Sequence, residues 1–401
     1  MKILFLCHRI PYPPNKGDKI RSFHEIKHFS KNHEIHLLAF CENSNEISYG
    51  NELKKYCRSV SLILIKPHIQ RIKAAIFMLQ GKPWTLGYFS DRAMRDAVQE
   101  KLNTVSFDVV FAYSSSMAPY ALTAARIPRV LDFVDSDACK WRRYAQLEPA
   151  PKSWLHSYEA SKLARFEQEM ILKFDASIFV SPREASHLTG GIHFIQNGVN
   201  LDYFAAFPRE KGSNLIIFTG AMDYFPNIDA VTFFAENIFP LIRSYLGDAQ
   251  FLIVGSRPTS AVRRLERSPG ITVTGTVLDI RPNLAKASVA VVPLRISQGI
   301  QNKILEALAA DLPVVATRSA AEGLQTIEGL PISVTDDPKE FSDRVLDYLR
   351  NPLGEEEIKR CRHHLELQYS WEKNLSAFDH IFHQLHSHKI EQSLERKELQ
   401  G

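Results

Sequence analysis

A chain of 401 residues exceeds one ordinary domain and suits two, and 45% hydrophobic against 23% charged residues describes a globular protein with material for two cores. A formal net charge of +4 is too weak to argue for nucleic acid, and no apolar run approaches the roughly 18 residues that a membrane span needs. The five cysteines (Cys7, Cys41, Cys57, Cys139 and Cys361) form no Cys-x-x-Cys pair, which points to reduced thiols in a cytoplasmic protein and away from a disulfide framework or a zinc site.

The N-terminus, MKILFLCHRIPYPP, carries an apolar stretch only from residue 3 to residue 7. That is shorter than the h-region of a secretory signal, so a first β-strand is the better reading. Strands are predicted at 2–7, 34–40, 59–65, 107–113, 129–134, 175–180 and 192–195, and then at 214–220, 249–255, 271–275, 288–294 and 312–317. These runs are continuously apolar and alternate with helix-length segments, the pattern of parallel strands buried on both faces. One predicted helix spans 228–245. Another, around 67–79, carries the apolar stripe Ile69, Ile72, Ile76 and Leu79 among Lys66, Arg71, Lys73 and Lys82, and core packing is favoured for it over contact with a membrane surface.

The alternation resets at residues 197–214, NGVNLDYFAAFPREKGSN, which read as an interdomain linker. The expected architecture is α/β, with two doubly wound units in tandem. From about residue 337 the pattern is helical and ends in a His- and charge-rich tail, with 389–401 expected to be disordered.

Open parallel sheets bind ligands at the carboxyl ends of their strands, so the loops that follow strands deserve inspection. HRIPYPPNKGDKIRSF follows the first strand, with Gly17 just before a helix, where backbone N–H groups can approach an anion. VVPLRISQGIQNKILEALA holds Arg295 and Gly299 in a loop before a helix expected near Ile300. Gln298, Asn302 and Glu306 recur at intervals of four, beside Gln301 and Lys303. A diphosphate at that helix start would meet the dipole, Lys303 and Arg295, and Glu306 would reach sugar hydroxyls. A solvated helix start gives the same spacing. Asp132, Asp135 and Asp137 in VLDFVDSDA could orient a hydroxyl, act as a base or cap a helix; metal binding is disfavoured. Gly255 and Gly275 each end a strand, as expected where backbone turns beneath a base or ribose.

In "PYPPNKGDKIR", "NGVNLDYF", "FTGAMDYFPNIDAV", "IVGSRP" and "GIQNKILEALAADLPVVAT" the chain resembles family 4 retaining glycosyltransferases of the GT-B fold, over about residues 1–370. "VLDFVDSDA" and "PLRISQGIQNKILEALA" look closest to bacterial exopolysaccharide sugar transferases of the PEP-CTERM/exosortase system. The resemblance implies two Rossmann-like domains with parallel sheets facing a central cleft. It places acceptor binding in residues 1–200, donor binding in 201–369 and a C-terminal helix, about 370–388, back on the first domain. Its Glu-x7-Glu element falls on Gln298 and Glu306, so the first glutamate is replaced by an amide. The family's usual Arg and Lys after the first strand of the second domain are absent, and Arg295 and Lys303 are expected to neutralise the phosphates in their place.

The activity so implied is transfer of a sugar from a nucleoside-diphosphate sugar to a glycan or lipid-linked acceptor, with retained configuration. Asp135, Lys303 and Glu306 are the catalytic candidates. Gly17, Gly255, Val277 and Arg295, with residues 298–301 (Gln298, Gly299, Ile300, Gln301), Lys303 and Glu306, would bind the donor. Asp132, Asp135 and Asp137 would bind the acceptor. No cofactor, metal or nucleic acid is expected, and the protein would be cytoplasmic, with possible contact at the inner face of the membrane. A nucleotide-sugar epimerase and a catalytically silent binding subunit remain the alternatives, whereas a dehydrogenase is disfavoured because no Gly-x-Gly-x-x-Gly follows a strand.

Overall fold

A computed structural model describes residues 1–398 except 15, 16, 184, 206, 208–211, 298 and 325. The chain divides into two units, one of Met1–Ile195 with Leu375–Gly401 and one of Gln196–Asn374. The sequence boundaries at 200/201 and 369/370 thus lie within five residues of the structural ones.

In the first unit β1 (Lys2–Cys7), β2 (Glu34–Cys41), β3 (Ser59–Leu64), β4 (Val109–Tyr113), β5 (Arg129–Val134), β6 (Ala176–Phe179) and β7 (Ile192–Phe194) form one sheet in the order β3-β2-β1-β4-β5-β6-β7. Every pairing is parallel. β1 and β4 are apolar at almost every position because helices cover both faces, which explains why the sequence shows runs there and no alternation. The helix Trp371–Glu398 sends Phe378 and Phe382 against Phe29, with ring centroids 5.3 and 5.0 Å away. That helix continues to Glu398, whereas a disordered tail was expected from 389. Glu391, Gln392, Leu394, Glu395 and Lys397 are strong helix formers, and they extend a helix already nucleated by packing.

Beneath the carboxyl edge of this sheet lies a fully buried ion cluster. Arg21, on the helix Gly17–Phe29, donates from Nε to Asp132 at 2.7 Å and from Nη1 to the Ile195 carbonyl at 2.8 Å, and pairs with Glu25 at 3.0 Å. Burial opposes the Arg21 charge, but Asp132 and Glu25 outweigh it and raise the guanidinium above its ordinary value. Burial, together with Asp132, lifts the Glu25 carboxyl well above its usual range.

The second unit holds β8 (Leu215–Thr219), β9 (Gln250–Val254), β10 (Ile271–Gly275), β11 (Val289–Val292), β12 (Val314–Ala316) and β13 (Ile332–Val334), again parallel, in the order β10-β9-β8-β11-β12-β13. β13 escaped the sequence reading because it is three residues long and only half-buried. The predicted helix at 228–245 is two helices, Phe225–Phe233 and Phe239–Tyr245, joined by a π turn at Phe234–Ile238 where Pro240 supplies no N–H to the preceding turn. The linker region contains the helix Leu201–Ala205, and Val199 donates to the Tyr369 carbonyl at 2.7 Å, so its start is an integral part of this unit.

The apolar stripe on the helix Pro67–Leu79 is not core. Ile69, Ile72, Ile76 and Leu79 are 41%, 61%, 48% and 85% exposed, whereas Gln70 and Ala74 are buried. The reason is close packing: a Cβ on Gly87 would stand 2.6 Å from the Ala74 Cα, so the helix must turn its small face inward. Both faces carry helical spacing, and periodicity alone cannot choose between them.

Replacing Arg21 with leucine strands two buried carboxyl groups. Arg21→Leu is expected to cost about 3–5 kcal/mol of stability, read from urea unfolding; an unchanged midpoint would show the cluster to be dispensable.

Candidate functional site

In the second unit, β11 leads into a loop pinned by the buried side chains of Ile296 and Ile300 and then into the helix Asn302–Ala309. Gly299 adopts a φ of 60°, in the left-handed region that favours glycine, and a Cβ on Gly323 would lie 2.1 Å from its carbonyl oxygen. The helix begins two residues later than the sequence suggested, and the Gln301 side chain does not cap it. Ile304, Leu305 and Leu308 fill the core and leave Lys303 and Glu306 half-buried on the opposite side.

Lys303 is held by Phe218 on β8 and by Asn227 on the helix Phe225–Phe233. Its Nζ donates to Asn227 Oδ1 at 2.6 Å and stands 4.2 Å from the centre of the Phe218 ring. Asn227 is fixed in turn by donating to the Ala221 carbonyl at 2.9 Å. A Cβ on Gly220 would come within 2.6 Å of the Asn227 amide nitrogen and 3.2 Å of Lys303 Nζ, so glycine leaves room for the pair. Burial pushes the Lys303 ammonium down to about 7, against the pull of Glu306. Burial likewise pushes the Glu306 carboxyl up to about 7, against the pull of Lys303. Two groups of opposite sign are thereby poised near neutrality one helical turn apart. Nearby, Arg281 stacks 3.8 Å from the Tyr203 ring centre and forks onto Asp279, while burial, then Asp279, and to a lesser degree Glu306 raise the Tyr203 phenol.

Other predicted donor residues fall differently. Arg295 forks onto Asp229 and stacks 4.9 Å from the Phe233 ring centre, so its charge is matched by a neighbouring helix and is not aimed at the start of Asn302–Ala309. Gly255 is required by backbone packing, since a Cβ there would fall 1.6 Å from the Gly220 carbonyl oxygen. Gly275 has a φ of 76° at the end of β10, and Val277 is half-buried against the second core. Gly17 opens its helix in the first unit, and Gln298 lies outside the described residues. Asn227 and Phe218 were missed, because nothing in a sequence announces which asparagine and ring will meet a lysine some eighty residues away.

In the first unit the three aspartates separate. Asp132 is fully buried under Arg21 and accepts from the Val134 N–H at 2.8 Å, so it is a structural anion and no acceptor ligand: strand β5 turns it inward. Val134 has a φ of 67° and Ser114 a φ of 82°, two non-glycine residues in the left-handed region at adjacent strand ends. Such conformations persist only where the surroundings impose them, and they cluster at functional edges. Val134 delivers Asp135, half-buried, to this edge. Asp137 accepts from Ser115 Oγ at 2.8 Å and from Lys140 Nζ at 2.7 Å. Burial opposes its ionisation, but Lys140, Ser115 and His8 outweigh burial and hold the carboxyl below its usual value. Ser136 caps the helix Asp137–Leu147 and also donates to Glu167 at 2.7 Å.

Residues 213–351 match the family model for glycosyl transferases group 1, a span that includes Asn227, Lys303 and Glu306. The second unit therefore carries a group 1 glycosyltransferase domain. The protein is an enzyme of the glycosyltransferase type. Comparison with curated proteins returns no match. Among solved structures the chain is similar to a sucrose-phosphate synthase from Thermosynechococcus elongatus, with a TM-score of 0.68 and 14% identity over 96% of this chain and 100% of that one. It is also similar to the HepE protein of Anabaena solved with UDP and glucose (TM-score 0.65, 13% identity, 96% and 100% covered). A trehalose-phosphate synthase from Burkholderia vietnamiensis gives 0.62 and 11%, with 96% and 100% covered. At such identities the likeness establishes the fold, which is GT-B: two Rossmann-like α/β units with parallel sheets.

Lys303→Met removes the charge that restrains Glu306. The glutamate carboxyl is then expected to titrate above about 7, followed by carbon-13 NMR. A fall, or no change, would show that the two groups do not sense each other.

Proposed function

We propose that the protein transfers a sugar, with retained configuration, from a nucleoside-diphosphate sugar to a glycan or lipid-linked acceptor in exopolysaccharide assembly. The observation that carries this reading is the Lys303–Asn227–Phe218 contact with Glu306 one turn on, inside the segment that matches the group 1 model. An ammonium poised near 7 gains its proton when a diphosphate arrives, because a nearby anion favours the charged form. The charged Lys303 and the positive end of the helix Asn302–Ala309 then stabilise the departing nucleoside diphosphate. Glu306, as carboxylate, accepts from donor hydroxyl groups. HepE, one of the similar structures, binds UDP and glucose, which supports a nucleotide sugar as the ligand of this domain.

Asp135 is the group proposed to orient the acceptor hydroxyl in the first unit, with Asp137 held ionised beside it. No metal enters this scheme: Asp137 already has the Lys140 ammonium as its counter-charge at 2.7 Å, where a cation would have to displace it. Binding of UDP-glucose and GDP-mannose, titrated by calorimetry in EDTA, tests the donor side. One of them is expected to bind, and Glu306→Ala to weaken it by about 2–4 kcal/mol without loss of fold. Unchanged affinity in that variant would remove Glu306 from the site, and conversion of donor to an epimer without acceptor would replace transfer by epimerisation.

An acceptor carried on lipid calls for a surface that meets an anionic membrane, and we propose the exposed face of Pro67–Leu79 for that role. No helix among the described residues is long and apolar enough to cross a membrane. Ile72 and Leu79 project from that helix, and Lys66, Arg71 and Lys82 stand exposed around them. Each basic side chain near such a surface contributes about 1 kcal/mol, so contact would be weak and salt-sensitive. Co-sedimentation with phosphatidylserine vesicles at low salt is expected, reversed by high salt and reduced by Ile72→Ser with Leu79→Ser; no binding at low salt would reject this surface.

A further inference from the structure

The first unit holds a side-chain relay that the transfer reaction does not use. Among the five cysteines, Cys7, Cys41, Cys57 and Cys361 are buried and Cys139 alone is half-buried. Burial pushes the Cys41 thiol up to about 11 and the Cys57 and Cys361 thiols up to about 12, so these remain protonated and inert at neutral pH. Cys139 has different surroundings. It sits in the first turn of the helix Asp137–Leu147, where its N–H donates to the capping Ser136 Oγ at 3.1 Å, at the positive end of the helix. Its Sγ lies 3.6 Å from His187 Nδ1, in the loop that follows β6. The other imidazole nitrogen, Nε2, stands 3.9 Å from Glu167 Oε2. Glu167 is fully buried and rigidly placed: Ser136 Oγ donates to it at 2.7 Å and the Ala138 N–H at 3.0 Å.

We infer that Cys139, His187 and Glu167 form an activated-thiol site that takes low-molecular-weight disulfides as its reactant. The order carboxylate, imidazole, thiol matches the task. His187 accepts the thiol proton at Nδ1, and Glu167 favours the resulting imidazolium, whose charge also relieves the cost of a buried carboxylate. Burial, with the charge of Asp137, lifts the Glu167 carboxyl to about 8, so at pH 7 it is mostly protonated until the imidazolium forms 3.9 Å away and draws it toward the carboxylate. The Cys139 thiolate attacks one sulfur of the disulfide. A new S–S bond joins the two, the original S–S bond breaks, and the departing thiolate takes up the proton from His187. Cys139 is oxidised to a mixed disulfide while the reactant releases one reduced thiol, so electrons and protons balance.

The bulk so added stands two residues from Asp137 and four from Asp135. Its consequence for sugar transfer rests on the proposed role of Asp135, but the thiol chemistry does not, and the test reads the chemistry alone. The full chain is mixed at pH 7 with dithiobis(nitrobenzoate), whose released thiolate absorbs visible light. One fast equivalent per chain is expected, mapped by peptide mass to Cys139 and absent from Cys139→Ser, with the buried thiols reacting only in denaturant. His187→Ala should slow the fast phase about tenfold, the loss that accompanies a fall in thiolate fraction. His187→Gln, which keeps a polar side chain in the loop but is a far weaker proton acceptor, should do the same and guards against a folding artefact. A Cys139 rate no greater than that of free cysteine, or an unchanged rate in folded His187→Gln, overturns the site.

Discussion

A lysine ammonium kept from water is the constraint around which the second unit is arranged. Lys303 loses hydration where its ammonium lies over the Phe218 ring, and no carboxylate forms a salt bridge with it among the described residues. The structure compensates with an amide oxygen, an aromatic face and a carboxyl group one turn away. Each compensation imposes a further requirement. Asn227 needs Gly220 to leave space, and Gly255 must lack a side chain because the Gly220 carbonyl oxygen occupies its Cβ position. Gly299 and Gly323 do the same for the loop that launches the helix. The partly desolvated charge thus accounts for Gly220 directly, and close backbone packing accounts for Gly255 and Gly323.

The first unit meets a comparable demand by different means. Its buried anion, Asp132, is matched outright by Arg21, at the cost of also burying Glu25. The cluster sits under β5 and fixes the strand end from which Val134 turns into the left-handed region and presents Asp135. A rigid, fully buried base below and a polar rim above, where Asp137, Lys140, Ser115 and Glu167 are each held by a named partner, favour fixed geometry over adaptability. The relay through His187 to Cys139 uses the same rim, because Ser136 both caps the helix and orients Glu167.

The Lys303–Glu306 pair of the second unit and Asp137 of the first follow opposite electrostatic logic. In the second, burial moves a cation and an anion toward each other's range, so both can change protonation near neutral pH. In the first, paired charges hold Asp137 ionised. Reversible charge suits the proposed donor-binding role, and permanent charge suits the proposed orientation of an acceptor hydroxyl.

The sequence by itself determined the architecture and pointed to the loop and helix start at 295–306. Continuous apolar runs of four to seven residues specify parallel strands buried on both faces, and twelve of the thirteen strands were legible for that reason. The polar residues crowded into the start of Asn302–Ala309 singled out Lys303 and Glu306, the two groups that burial then moves toward neutrality. What only the tertiary structure decided were matters of direction and partnership. Arg295 turned to Asp229, Asp132 turned inward to Arg21, and the Ile69–Leu79 stripe turned outward because Gly87 and Ala74 pack too closely to admit anything larger. Asn227 and Phe218 joined Lys303 across some eighty residues of chain, and Cys139 met His187 across 48. Periodicity reports the spacing of residues along one element, whereas the partner of a charge is set by which elements the sheet order brings side by side.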